Sequence, residues 1–74
     1  MKQATLIFVR TLSAIAQNDP YMLHKKNTMI EMWKHAVKEN DKKTLNNLLT
    51  EIYLVTENDY FRKEINQCRE TLSL

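Results

Sequence analysis

The chain has 74 residues, of which 43% are hydrophobic and 27% charged, and its formal net charge at pH 7 is +2. This composition is typical of a globular protein rather than of a disordered or membrane-spanning one, and a chain of this length forms only a thin core. Because it contains one cysteine, no glycine and one proline, an intramolecular disulfide is excluded and tight hairpins are disfavoured. We therefore predict an all-α protein that forms a single helical domain over residues 1–74.

The most apolar stretch covers residues 4–16, ATLIFVRTLSAIA, and its only charge is Arg10. On a helix, its apolar side chains spread over more than half of the circumference, so the helix needs cover from several sides. We predict a helix over residues 3–17 that is the most buried element of the fold. Three short neighbours do not readily cover so much apolar surface, which predicts a homodimer. The candidate self-association residues are Leu6, Ile7 and Leu54.

The start of the chain has the outline of a secretory signal, since Lys2 precedes an apolar run that ends in small residues. Arg10 interrupts that run, and cleavage after Ala16 would leave an unusually short leader. No stretch approaches the roughly 18 apolar residues that span a bilayer, and a lone thiol suits a reducing compartment. We expect a cytoplasmic protein with no membrane partner.

Asn-Asp pairs at residues 18–19, 40–41 and 58–59 divide the chain into four pieces. Asn can close a helix in the left-handed conformation, and the carboxylate of Asp can cap the next helix. Pro20 fits the first helical position after Asp19. The pattern predicts three further helices at 20–39, 42–57 and 59–72, packed as a small antiparallel four-helix bundle that dimerisation would complete.

The second helix has one apolar stripe and one residue that disturbs it. Lys26 projects onto the stripe, where an unpaired lysine would cost several kcal/mol unless it reached solvent. Either the helix is continuous from Pro20 with Lys26 at its rim, which we prefer, or it restarts at Thr28, where Thr28 and Glu31 have the form of a capping box. The stripe consists of Leu23, Ile30, Trp33 and Val37, widened by Met22, Met29 and Ala36.

The last two helices have clear apolar faces. In the third, Leu54 points away from the face, and Tyr53 lies at its edge. The fourth has a narrower seam. The face of the third helix consists of Leu45, Leu48, Leu49, Ile52 and Val55, and the seam of the fourth of Phe61, Ile65, Cys68 and Leu72.

Few residues suit catalysis or metal binding. His24 and His35 are about 16 Å apart along a continuous helix, so they cannot share a metal ion. Cys68 lies on an apolar seam, where a cysteine usually acts as a small hydrophobe. Glycine-dependent phosphate loops are excluded because the chain has no glycine. We predict no enzyme activity, no cofactor and no metal site.

The positive charge is concentrated in the first part of the chain. Residues 1–43 contain eight Lys and Arg against four acids, a charge of +4, whereas residues 44–74 contain three against five, a charge of −2. The lysines either form a binding surface or are a solvated face. Methionine and tryptophan in the second helix suit a protein interface.

These features predict a small non-catalytic regulatory, inhibitory or adaptor protein that binds another protein with an acidic surface. The candidate partner-binding residues are Met22, Met32, Lys34, Lys38 and Lys42. The alternative is a small transcriptional or RNA regulator that binds nucleic acid through the lysines of the second helix. Arginine, which binds phosphate in bidentate fashion, is scarce there.

Overall fold

The computed structural model describes residues 2–74, and these residues form four α-helices without any strand. The helices are α1 (Lys2–Ala16), α2 (Pro20–Lys38), α3 (Lys42–Val55) and α4 (Asp59–Leu72). The prediction of an all-α bundle is confirmed, and each helix boundary lies within two residues of its predicted position. Within residues 2–74, none of the helices combines the length and the apolar character that crossing a membrane requires.

Capping by Asn and Asp sets the helix starts. The carboxylate of Asp19 accepts a hydrogen bond from the backbone N–H of Met22 at 3.1 Å. Asp41 accepts from both the backbone N–H and the hydroxyl of Thr44, at 3.1 and 2.7 Å. Asn40, just before it, has a φ of 55°, which is the left-handed conformation that ends α2. The Asn40-Asp41 pair therefore stops one helix and starts the next, as predicted.

The third pair works differently. Asn58, rather than Asp59, caps α4, because its side-chain oxygen accepts from the backbone N–H groups of Tyr60 and Phe61 at 2.8 and 3.2 Å. Asp59 is then the first residue of the helix, where its charge favours the positive end of the helix dipole. Both residues stabilise the start of α4, but the cap is Asn58 and not, as the pattern had predicted, Asp59.

The core lies between all four helices. α1 packs mainly against α2 and α4, and α3 lies across the core from α1. α1 is the most buried helix, as predicted, since seven of its 15 residues are buried, compared with four of 19 in α2. The buried residues of α1 are Ala4, Ile7, Phe8, Thr11, Leu12, Ile15 and Ala16.

An aromatic stack joins α1 to α2 at the centre of the core. The rings of Phe8 and Trp33 are nearly parallel, at 8°, with centroids 4.0 Å apart. The indole Nε1–H of Trp33 donates to the hydroxyl of Thr5 at 2.9 Å, so the one polar atom of this buried ring is satisfied. On the other side of α1, the thiol of Cys68 donates to the carbonyl of Ala4 at 3.4 Å.

The apolar stripe of α2 is rotated from the predicted one. Leu23 is 60% exposed, and Ile30 and Val37 are half-buried at the edge. α2 is continuous, and this rotation leaves Lys26 half-buried beside the core rather than at its centre, where its charge would have been costly. The restart at Thr28 does not occur. The residues buried in α2 are Met22, Met29, Trp33 and Ala36.

The faces of α3 and α4 agree with the prediction. Leu54 is 72% exposed on the outer side of α3, and Tyr53 is half-buried at the edge of its face. At the edges of the predicted faces, Val55 and Phe61 are half-buried. The fully covered positions are Leu45, Leu48, Leu49 and Ile52 in α3 and Ile65, Cys68 and Leu72 in α4.

Candidate interaction surfaces

Met32 forms part of an open depression on the outer face of α2. Its side chain is 47% exposed, and the depression has a volume of about 510 Å³. The other lining residues, all on the same helix, are Asn27, Thr28, Glu31 and His35. Met32 is thus exposed, which a partner-binding residue must be.

Met22 does not belong to this surface. It is fully buried, and with Met29 it fills the part of the core that α2 covers. Its placement in the partner-binding set was wrong because the buried stripe of α2 includes Met22 and leaves its neighbour Leu23 outside. Adjacent residues on a helix point about 100° apart, so a modest rotation exchanges the buried and the exposed one.

Lys34, Lys38 and Lys42 are all exposed. Among residues 2–74 the ion pairs are Arg10–Glu64 at 3.3 Å and Lys25–Glu51 at 3.2 Å, and neither involves these lysines. Lys34 and Lys38 are one turn apart on α2, and Lys38 and Lys42 lie on either side of the connection to α3. We call these three residues the lysine surface.

The helix places Met32 away from the lysine surface. Met32 and Lys34 are two residues apart, which on an α-helix separates their directions by about 160°. Met32 lies near the side of α2 where Lys25 reaches Glu51 of α3. Lys34 lies on the opposite side, and the buried Trp33 points between the two, about 100° from each. The lysines therefore lie near one another along the chain, and Met32 points away from Lys34.

The start of α3 adds to the positive charge of the lysine surface. Lys42 and Lys43 occupy the first turn, which contains no acid, although the positive end of a helix dipole disfavours cations there. The nearby carboxylate of Asp41 accepts hydrogen bonds from the hydroxyl and the backbone N–H of Thr44. Both bonds lower the pKa of Asp41, and the bond from the hydroxyl has the larger effect. This placement of two cations does not serve the stability of α3.

The self-association candidates lie in three different environments. Leu6 is 62% exposed, and it borders an open groove of about 760 Å³ along α1. Ile7 also lines that groove but is only 3% exposed, so its assignment to an exposed interface edge was wrong. Leu54 is exposed on α3, on the opposite side of the core from the outer face of α1. Leu6 and Leu54 therefore cannot form one contiguous patch.

A pair of arginines at the boundary of α3 and α4 was not singled out from the sequence. The guanidinium carbons of Arg62 and Arg69 lie 4.7 and 5.8 Å from the ring centroid of Tyr53. Arg62 donates to the carbonyl of Thr56 at 3.0 Å, and Arg69 donates to the hydroxyl of Thr50 at 2.7 Å. Their spacing of seven residues, two turns of one helix, is the signal that could have identified them. These contacts of Arg62 and Arg69 with Tyr53, Thr50 and Thr56 hold α4 against α3.

The thiol and the imidazoles have unremarkable surroundings. Burial raises the pKa of Cys68 to about 11, so the unreactive thiol form dominates at neutral pH. His24 and His35 are exposed on α2. Within residues 2–74, no three His, Cys, Asp or Glu side chains are grouped so that they could hold a metal ion.

Comparison of the chain with protein-family models, with curated proteins and with solved structures found no match.

Proposed function

We propose that this protein is a small non-catalytic regulatory, inhibitory or adaptor protein that acts by binding another protein with an acidic surface. The observation that supports this proposal is the lysine surface. Lys34, Lys38 and Lys42 are exposed, lie close together along the chain around one helix connection, and have no carboxylate within ion-pair distance among the described residues. Such a surface would raise the rate of association with an acidic partner.

Met32 would act as a separate apolar contact. Its depression lies on the α3 side of α2, so a partner that reached both Met32 and Lys34 would have to cross the full exposed width of the helix. Interface energy is concentrated in a few desolvated side chains, whereas exposed charges at a rim mainly affect rates and salt dependence. We expect Met32 to affect the lifetime of the complex and the lysines to affect its formation.

Nucleic acid is the competing partner, since lysines can neutralise phosphates. Each phosphate contact releases counterions, so binding to duplex DNA or RNA would fall steeply as salt rises. The arginines of the fold lie on other helices, Arg10 on α1 and Arg62 and Arg69 on α4. The lysine surface therefore lacks the residue type that recognises phosphate in a bidentate manner.

The experiment compares two single charge reversals of equal size. Lys34→Glu changes the lysine surface, and Lys63→Glu changes another exposed lysine, on α4. Host proteins captured by the tagged wild type would be identified, and the binding of each to both variants would be measured across a salt series. We expect about a tenfold loss with Lys34→Glu and less than about a twofold change with Lys63→Glu.

Gel shifts with generic duplex DNA and RNA provide the opposing outcome. If the protein shifts either one at micromolar concentration, and Lys34→Glu removes the shift, the nucleic-acid alternative replaces our proposal. If both variants bind every captured protein equally, the lysine surface is only a solvated face and the proposal is wrong.

We also propose that the bundle is antiparallel, that it self-associates as a homodimer, and that it works in the cytoplasm. Short connections between consecutive helices support the first point. With Ile7 buried, Leu6 and Leu54 are the exposed candidates for the second, on two different faces. Sedimentation of the wild type at tens of micromolar tests the dimer, since a mass of 8.8 kDa would indicate a monomer.

A further inference from the structure

An open groove lies along the outer face of α1. It has a volume of about 760 Å³, which is within the range of ligand-binding pockets, and it is open along one side. Leu6 projects at its centre, Ile7 and Val9 line it on either side of Leu6, and Gln67 of α4 also borders it. We call this surface the α1 groove.

Two cations flank the apolar part of the α1 groove. Lys2 and Arg10 both line it, eight residues apart on one helix, which is about 12 Å along the axis. The residues that line the groove include no acid. The apolar residue Leu6 lies midway between the two cations in the sequence. The groove therefore combines a central apolar area with a positive charge at each end.

The charge of Arg10 remains available despite its ion pair. Its Nη2 donates to Glu64 at 3.3 Å, but its side chain is 59% exposed, whereas that of Glu64 is only 14% exposed. A guanidinium has five N–H donors, and this contact uses one of them. Glu64 holds the guanidinium in place at the groove, and the remaining donors can bind a second carboxylate.

We propose that the α1 groove binds an amphipathic helix of an acidic partner protein. The apolar side chains of that helix would cover Leu6 and Val9, and two carboxylates seven or eight residues apart would meet Lys2 and Arg10. Helix-in-groove recognition has this form, with apolar anchors on one face and charges that fix the register. This site lies on α1, away from the lysine surface, and does not rest on the function proposed above.

A second copy of the chain fits the α1 groove less well. In a two-fold pair of antiparallel α1 helices centred on Leu6, residue 2 of each copy lies opposite residue 10 of the other. Lys2 would then face Arg10 twice, and like charges across an interface are unfavourable. An acidic helix removes this repulsion, so charge complementarity selects it over self-association.

The test uses a synthetic helix as the probe. A fluorescein-labelled peptide of about 18 residues would have leucines on one face and two glutamates seven positions apart, and a second peptide would have lysines in place of the glutamates. Binding to the full chain would be measured by fluorescence anisotropy at physiological ionic strength. We expect the acidic peptide to bind at least about tenfold more tightly than the basic one.

Matched variants locate the site. Leu6→Glu changes the α1 groove, and Leu54→Glu makes the same change at an exposed leucine on the other side of the molecule. We expect Leu6→Glu to lower the affinity for the acidic peptide by about tenfold or more. Leu54→Glu and Lys34→Glu should change that affinity by less than about twofold. If Leu6→Glu loses its helical circular dichroism, Leu6→Gln takes its place. Sensitivity to Lys34→Glu alone would assign the peptide to the lysine surface and overturn the α1 site.

Other outcomes also overturn the proposal. Equal affinity for the acidic and basic peptides would show that charge does not select the occupant. A wild-type dimer in sedimentation that Leu6→Glu converts to a monomer would assign the groove to a second copy.

Discussion

α1 and α2 have similar positions in the bundle but very different surfaces. Each packs mainly against two neighbours, yet α1 buries seven of 15 residues and α2 only four of 19. Leu6 is the one large hydrophobic side chain that α1 leaves exposed, whereas α2 exposes Tyr21, Leu23 and Met32. α1 therefore serves mainly to form the core, whereas α2 buries a narrow stripe and exposes most of its surface. The surface available for binding follows from this difference.

The largest effect should come from the core of α1. Phe8→Ala removes a fully buried ring that stacks on Trp33, and we expect it to lower the free energy of unfolding by about 3–5 kcal/mol. Leu6→Ala, on the outer face of the same helix, should change it by less than about 0.5 kcal/mol. Urea unfolding followed by the fluorescence of the single tryptophan measures both. If both variants lowered the free energy of unfolding equally, Leu6 would be buried as well as Phe8, contrary to the structure.

The rotation of α2 gives the next largest effect. Met22 is fully buried and its neighbour Leu23 is 60% exposed. We expect Met22→Ala to cost about 2–5 kcal/mol and Leu23→Ala less than about 0.5 kcal/mol, by urea unfolding at neutral pH. The reverse order would restore the stripe predicted from the sequence and return Met22 to the candidate interface.

A smaller effect is expected where α1 and α2 share a hydrogen bond. Thr5→Val removes the acceptor for the indole N–H of Trp33 and leaves a buried donor unsatisfied, at a cost of about 1–3 kcal/mol. Thr5→Ser keeps the hydroxyl and serves as the control. A red shift of the tryptophan emission together with the loss of stability would indicate that water has reached the ring. If Thr5→Val and Thr5→Ser are equally stable, this bond does not join the two helices.

The smallest effect concerns the cap beside the lysine surface. The hydrogen bonds from Thr44 lower the pKa of Asp41 from its ordinary 3.8, so the ionised form is favoured in the folded state. The stabilisation is complete above that ordinary pKa and declines as the pH falls through the lower folded-state value. Asp41→Asn keeps a capping oxygen but cannot titrate.

Unfolding midpoints in urea, measured from neutral pH down to about pH 2.5, test this cap. We expect the midpoint of Asp41→Asn to fall less on acidification than that of the wild type, and the midpoint of Asp41→Ala to be low throughout. Parallel curves for the wild type and Asp41→Asn would show that Asp41 does not titrate with folding.

Much of the fold could be predicted because its signals are local. Asp19 and Asp41 cap helices through atoms within three residues of themselves, so the sequence indicates where α2 and α3 begin. The burial of α1 was predictable because the helix is apolar over more than half of its circumference. Whichever way it is rotated in the bundle, it buries apolar side chains. The face of α3 was equally clear because Leu45, Leu48, Leu49 and Ile52 leave no competing stripe. For the candidate site, the exposure of Met32 and of the three lysines also follows from the sequence pattern.

By itself, therefore, the sequence determined an all-α chain, the four helices and the core faces of α1 and α3. Only the tertiary structure decided the rotation of α2, because Met22 and Leu23 are both apolar and packing on Phe8 and Thr5 fixes the direction of Trp33. It also decided that Leu6 and Leu54 face opposite ways and that Lys2 and Arg10 flank one groove. These relations depend on which helices are neighbours, and helix periodicity carries no information about that.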